Sequence, residues 1–141
     1  MCSSDLIDIE DKDKVAVVDA RTLKVTAQYD LAGQGGTPAG LAFDAKNRRL
    51  FACCRNPATC VVLDADDGKI LAALPLGSGT DGAVFNPATL EAFSSQGDGT
   101  LTVIKENSPT SFAVEQTVTT KPGAKCCTFD PQTGQIGRAH V

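Results

Sequence analysis

The chain has 141 residues, a formal net charge of −4 and 42% apolar residues, enough to bury a real core and with no apolar run long enough to cross a bilayer as a helix. An acidic balance with no Trp and one Tyr argues against a nucleic-acid groove, which needs basic residues interleaved with stacking aromatics. A single histidine, His140, excludes a Ser-His-Asp triad, a Cys-His pair or a histidine-rich metal site in the body of the chain.

Residues 1–6 and 136–141 are expected to be scars flanking a piece of a longer reading frame. One oligonucleotide accounts for both. Read on one strand it encodes Ile136-Gly137-Arg138-Ala139-His140-Val141, and its reverse complement encodes Cys2-Ser3-Ser4-Asp5 after a GTG that serves as start codon. That pattern is the mark of a sequencing adapter, so fold reasoning begins at residue 7. Residues 7–135 then carry five cysteines and no histidine.

Ile7 to Glu10 alternates apolar and acidic, Asp11 to Lys14 supplies a turn, and Val15 to Asp19 begins a second apolar run, which together read as a hairpin. After a turn at Ala20 to Leu23, Lys24 to Leu31 reads as an outer strand with Val25, Ala27 and Tyr29 on one face. Ala32 to Ala39 is a crossing rich in glycine and proline, leading into the apolar strand Gly40 to Phe43. Strands at Arg49 to Cys54, Cys60 to Asp64 and Lys69 to Leu76 follow, joined by short turns, with Pro57 where no ladder donor is wanted. The cycle then restarts. Gly77 to Asp81 repeats the crossing and Gly82 to Phe85 the apolar strand, followed by strands at Leu90 to Ser95, Thr100 to Ile104 and Phe112 to Val118. Lys121 to Ala124 opens a third unit whose first strand is Cys126 to Phe129.

Gly40-Leu41-Ala42-Phe43-Asp44 thus returns as Gly82-Ala83-Val84-Phe85-Asn86 and, altered, as Cys126-Cys127-Thr128-Phe129-Asp130, with the phenylalanines 42 and 44 residues apart. A period of about 40–50 residues and four short strands per unit predict an all-β chain of four-stranded antiparallel propeller blades. Residues 7–31 read as the last three strands of one blade, 32–76 and 77–120 as whole blades, and 121–135 as the first strand of the next. Closure takes four to eight blades. Residues 7–135 made alone are therefore expected to be aggregation-prone or partly disordered.

Three stretches carry a family resemblance: Val17 to Val25, Gly36 to Asp44 and Val62 to Ile70. Each contributes to one pattern, an apolar strand ending in Asp, a turn, a Lys-Val or Lys-Ile outer strand, and a glycine-rich crossing into Gly-x-Ala/Val-Phe. Gly79 to Pro87 and Ser94 to Val103 continue it. The pattern resembles the YVTN-repeat, YncE-like β-propellers across essentially all of 7–135. Lys125-Cys126-Cys127-Thr128-Phe129 departs from it, standing where the family has a polar-aliphatic strand. The resemblance implies a seven-bladed parent and a periplasmic or secreted location. Among relatives of this kind are lactonases, subunits of redox enzymes and a single-stranded DNA binder. A fold shared by so many activities does not choose among them.

In an antiparallel meander alternate turns lie at the same end, so the crossings share a face with the turns between second and third strands. That face is expected to hold Thr37, Asp81 and Lys125 from the crossings, plus Arg55, Asn56, Gln96 and Asp98. Ala39, Asp81 and Lys125 share one offset before the inner strand and change from apolar to acidic to basic. Ligand contact is the functional reading, and ordinary solvated loop residues are the bland one. The cysteines lack Cys-x-x-Cys spacing, so no metal is expected. They read as small apolar fillers, or as a cross-strand disulfide between Cys54 and Cys60 around an Asn56-Pro57-Ala58 loop. Asp64 to Gly68 reads as a turn, because it lacks the glutamate a calcium loop needs.

The expected function is a non-catalytic binding or interaction module without cofactor. Its partners are a small molecule or protein at the channel mouth and neighbouring blades of the same chain, with nucleic acid and membrane disfavoured. The alternatives are a lactonase-like hydrolase, a redox-enzyme subunit, or a single-stranded DNA binder.

Overall fold

A computed structural model describes residues 4–140, so Met1 to Ser3, with Cys2, and Val141 of the two expected flanking segments lie outside the described residues. The described chain forms four antiparallel sheets. The first holds β1 (Ser4–Ile9), β2 (Lys14–Asp19) and β3 (Lys24–Asp30). The second runs in chain order through β4 (Pro38–Asp44), β5 (Arg49–Cys54), β6 (Thr59–Asp64) and β7 (Ile70–Pro75). The third does the same through β8 (Thr80–Asn86), β9 (Glu91–Gln96), β10 (Thr100–Ser108) and β11 (Ser111–Thr119). The fourth pairs β12 (Ala124–Asp130) with β13 (Gln135–His140).

Three details depart from the sequence reading. A short 3-10 turn, Glu10–Lys12, precedes the left-handed Asp13 in the first hairpin. The hairpin of β10 and β11 is longer than expected, because Lys105 to Ser108 stay paired to the partner strand across bulges at Val103/Ile104 and Glu106/Ser108. The fourth sheet has two strands where one was expected, since Gln135 to His140 pair with β12, just as Ser4 to Leu6 pair within the first sheet.

Sheets stacked face to face bury both faces of their middle strands, which then lose the usual alternation. Leu50 to Cys54 of β5 and Cys60 to Leu63 of β6 are all fully buried. Their side chains divide by parity. Leu50, Ala52, Cys54, Val61 and Leu63 pack toward Val15, Tyr29 and Leu31 of the first sheet and its crossing. Phe51, Cys53, Cys60 and Val62 pack toward Ala92 and Ile104 of the third. The outer strand β3 behaves as an edge: Tyr29 is buried, while Val25 beyond the bulge at Val17/Val18 is 56% exposed.

The glycine near the start of β4 and of β8 has a steric cause. A Cβ on Gly40 would lie 2.8 Å from the Gly82 carbonyl carbon, and one on Gly82 would meet Cys127 N and Sγ at 3.3 Å. These glycines let β4, β8 and β12 converge, backbone on backbone. The recurrent Asp or Asn has a local cause. Asp19, Asp44, Asp64, Asn86, Asp98 and Asp130 each accept the backbone N–H of the residue two further on, at 2.8–3.0 Å. These are Asx turns, which hold each strand-to-strand reversal. Hydrogen bonds from Thr22 and Arg21, and from Thr133 and Gln132, hold the Asp19 and Asp130 carboxyls below the ordinary value.

Candidate functional site

At the start of the inner strands, one charged side chain from each sheet enters a single chain of alternating sign. Glu10 follows β1, Arg55 follows β5, Asp81 is the second residue of β8, and Lys125 is the second residue of β12. The Arg55 guanidinium donates to Glu10 Oε1 at 2.6 Å, to Asp81 Oδ1 at 2.5 Å and, through Nε, to the Thr80 carbonyl at 2.8 Å. Its backbone N–H is held by the carbonyls of Gly36 and Thr37. Arg55 is thus a brace between sheets with its donor fork engaged.

Lys125 is different. Its Nζ lies 3.8 Å from Asp81 Oδ2 and its side chain is 46% exposed, so it keeps donors for another acceptor. The Cys126 thiol donates to the same Asp81 oxygen at 3.7 Å. Of the residues expected at this face, Arg55, Asp81 and Lys125 are therefore brought together.

The others have different roles. Thr37 lies two residues before the Ala39 offset in a left-handed conformation, and its N–H donates to Asp13 Oδ1 at 2.7 Å; what it adds is backbone geometry. Gln96 is fully buried, which corrects its expected place at the ligand face. Its Nε2 donates to Ser94 Oγ, and its Oε1 accepts from Thr100 and Thr102. Asp98 accepts from Ser78 N, Thr100 N and Thr100 Oγ1, tying the crossing to the next turn. Desolvation raises the Asp98 carboxyl, but hydrogen bonds from Thr100 and Ser78 outweigh it and leave it below the ordinary value.

Below the charged rim the inner strands turn apolar. Leu41, Phe43, Val84, Phe85 and Phe129, with Thr128, line a cavity of about 480 Å³ where three sheets meet. Sequence reasoning placed the rim but missed this wall. The signal was present in the repeated Phe43, Phe85 and Phe129, which marked only the period of the repeat. Among the described residues, no group of three or more His, Cys, Asp or Glu gathers to hold a metal.

The expected Cys54–Cys60 pairing is corrected. Cys60 lies opposite Cys53, and Cys54 points through the other face of the sheet into the first-sheet core. The loop is one residue longer than the Asn56-Pro57-Ala58 turn required, and a one-residue change in register moves a side chain to the opposite face. Cys53, Cys54, Cys60, Cys126 and Cys127 are all free thiols. Burial pushes Cys54 up to about 12 and Cys127 up to about 11.

Comparison with known proteins bears on the fold. No protein-family profile and no curated protein sequence matches the chain. Solved structures do. Hydrazine synthase of Kuenenia stuttgartiensis superposes with a TM-score of 0.79 at 19% identity, over 92% of this chain and 36% of that one. A chain in the crystal structure of a mitotic checkpoint complex superposes with a TM-score of 0.76 at 15% identity, over 92% of this chain and 40% of that one. Both are β-propeller proteins. The sheets described above are β-propeller blades. The chain spans well under half the length of these two neighbours, and likeness at this identity extends to the fold alone.

Proposed function

We propose that the chain is part of a non-catalytic propeller module, of the YVTN-repeat, YncE-like kind, that binds a small molecule or a protein segment at its charged rim. The observation that carries the reading is the convergence of Arg55, Asp81 and Lys125 from three neighbouring sheets, on rigid strands that fix their spacing. Lys125 is the group with capacity to spare. A carboxylate or phosphate of the ligand would take it, while Arg55 stays engaged as the brace. The apolar wall of Leu41, Phe43 and Phe85 just below suits the apolar body of such an anion. The family resemblance supports a periplasmic or secreted setting, and neighbouring blades would complete the ring.

The test is a titration of the chain with citrate, inorganic phosphate and an acidic peptide, followed by NMR. The expected result is perturbation of the amides of Asp81, Lys125 and Cys126 by at least one of these anions, weakened several-fold in Lys125→Ala. Perturbations confined to other residues, indifference to Lys125→Ala, or no perturbation by any of the three would overturn the proposal.

A further inference from the structure

We propose that Cys53 and Cys60 are a disulfide site, a cross-strand bond that closes the loop carrying Arg55 when a small disulfide oxidant is present as the chain folds. The inference is independent of what the rim binds. It rests on ladder geometry. Cys53 and Cys60 are direct partners in the pairing of β5 with β6. The Ala65 N–H donates to the Arg48 carbonyl at 2.9 Å, which sets the phase of that ladder. Hydrogen-bonded pairs then fall at Leu50↔Leu63 and Ala52↔Val61, and Cys53↔Cys60 is a non-hydrogen-bonded pair. Cα atoms in such a pair stand about 4.5 Å apart with side chains close, inside the span of roughly 4.4–6.8 Å that a disulfide bridges.

Both thiols also lie on one face. They share the core with Phe51, Val62 and Ala92, with Cys53 Sγ donating weakly to the Phe51 carbonyl at 3.9 Å. Cys54, on the opposite face, is out of reach of either. The bond would stand between β5 and β6, bracketing residues 54–59 and hence Arg55, the brace of the rim.

The chemistry balances as two thiol–disulfide exchanges. One thiolate attacks glutathione disulfide, breaking its S–S bond and releasing glutathione. The second thiolate then attacks the mixed disulfide, forming the Cys53–Cys60 bond and releasing a second glutathione. The two cysteines lose two electrons and two protons, and the oxidant gains them. Both sulfurs are fully buried in the folded chain, and the hydrogen bond to Cys53 together with burial holds Cys60 well above the ordinary thiol value. Oxidation therefore belongs to the folding hairpin, before the neighbouring sheets cover it.

The experiment is refolding of the full chain in a glutathione redox buffer, alkylation of remaining thiols under denaturant, and peptide mapping after trypsin. Cleavage at Arg55 separates Cys53 and Cys54 from Cys60. Expected are a cross-linked pair of peptides, a thiol count lower by two, persistence of the link in Cys54→Ala and its loss in Cys53→Ala. The melting midpoint of the oxidised protein should fall by about 5 °C on reduction, and that fall should vanish in Cys60→Ala. A link that survives Cys53→Ala, one that joins Cys53 to Cys127, or a Cys60 fully alkylated after refolding would each overturn the proposal.

Discussion

The two complete blades put different chemistry into the same backbone slots. In the second sheet Ala52, Cys53 and Cys54 fill the inner end of β5, and in the third Ser94, Ser95 and Gln96 occupy the matching stretch of β9. All six are fully buried. The first set mainly fills volume, its thiols donating weakly to carbonyls two residues back, Cys53 to Phe51 at 3.9 Å and Cys54 to Ala52 at 3.5 Å. The second is held by bonds: Gln96 joins Ser94, Thr100 and Thr102, while Ser95 Oγ donates to the Ala124 carbonyl and accepts from Arg138 Nε of the fourth sheet. A blade interior therefore demands fit and satisfied polar atoms rather than apolarity as such.

The largest way to break this comparison is Phe51→Ala. Phe51 is fully buried, stacks on Phe85 at 5.6 Å and meets Phe112 edge-on at 6.0 Å. Its truncation should cost about 3–5 kcal/mol in denaturant unfolding. Phe93→Ala should cost less, since Phe93 is 8% exposed and stacks on Phe129 at 6.4 Å.

Next come the buried oxygens that lack a partner, which sharpen the contrast with satisfied Gln96. Asp8 Oδ1 and Glu106 Oε2 are two of them. Burial pushes the Asp8 carboxyl up to about 6. Desolvation raises Glu106 as well, with nearby Asp44 adding to it, against the hydrogen bond from Asn47 and the charge of Arg49. A folded-state pKa above the unfolded one binds the proton more tightly in the fold. That contribution is complete below about pH 4 and is lost as pH rises through about 6. Asp8→Asn should therefore stabilise the chain at pH 7 by up to about 3 kcal/mol, with the gain disappearing near pH 4. A pH-independent gain, or none, would show that Asp8 is solvated.

Gln96→Ala should cost about 1–3 kcal/mol by stranding the Ser94 and Thr102 hydroxyls, whereas Cys54→Ala at the matching slot leaves no polar group unpaired and should cost less. If Gln96→Leu proved more stable than the parent chain, the polar interior would be a tolerated substitute for packing. The smallest effect belongs to the rim. Asp81→Asn should change stability by less than about 1 kcal/mol, as expected of a partly exposed ion pair, and should tighten anion binding by removing the carboxylate that competes for Lys125, so weaker binding in that variant would count against the site.

Period, strand count and turn chemistry were legible from sequence because they are local. The Asp that ends each apolar strand hydrogen-bonds two residues on, and the glycines Gly40 and Gly82 mark the close approach of one inner strand to the next. The convergence of Arg55, Asp81 and Lys125 was legible too, since an antiparallel meander sends alternate turns to one end. What the tertiary structure alone decided is register and satisfaction. A loop one residue longer than the tight turn put Cys60 against Cys53 and turned Cys54 to the other core. Gln96 reads as a surface loop residue until Thr100 and Thr102 are seen to close around it. The paired extension at Lys105 to Ser108 was hidden because its polar residues find their partners far along the chain, as Glu106 does at Asn47. Local propensity is written residue by residue, whereas pairing phase and hydrogen-bond closure depend on which strands the fold brings together.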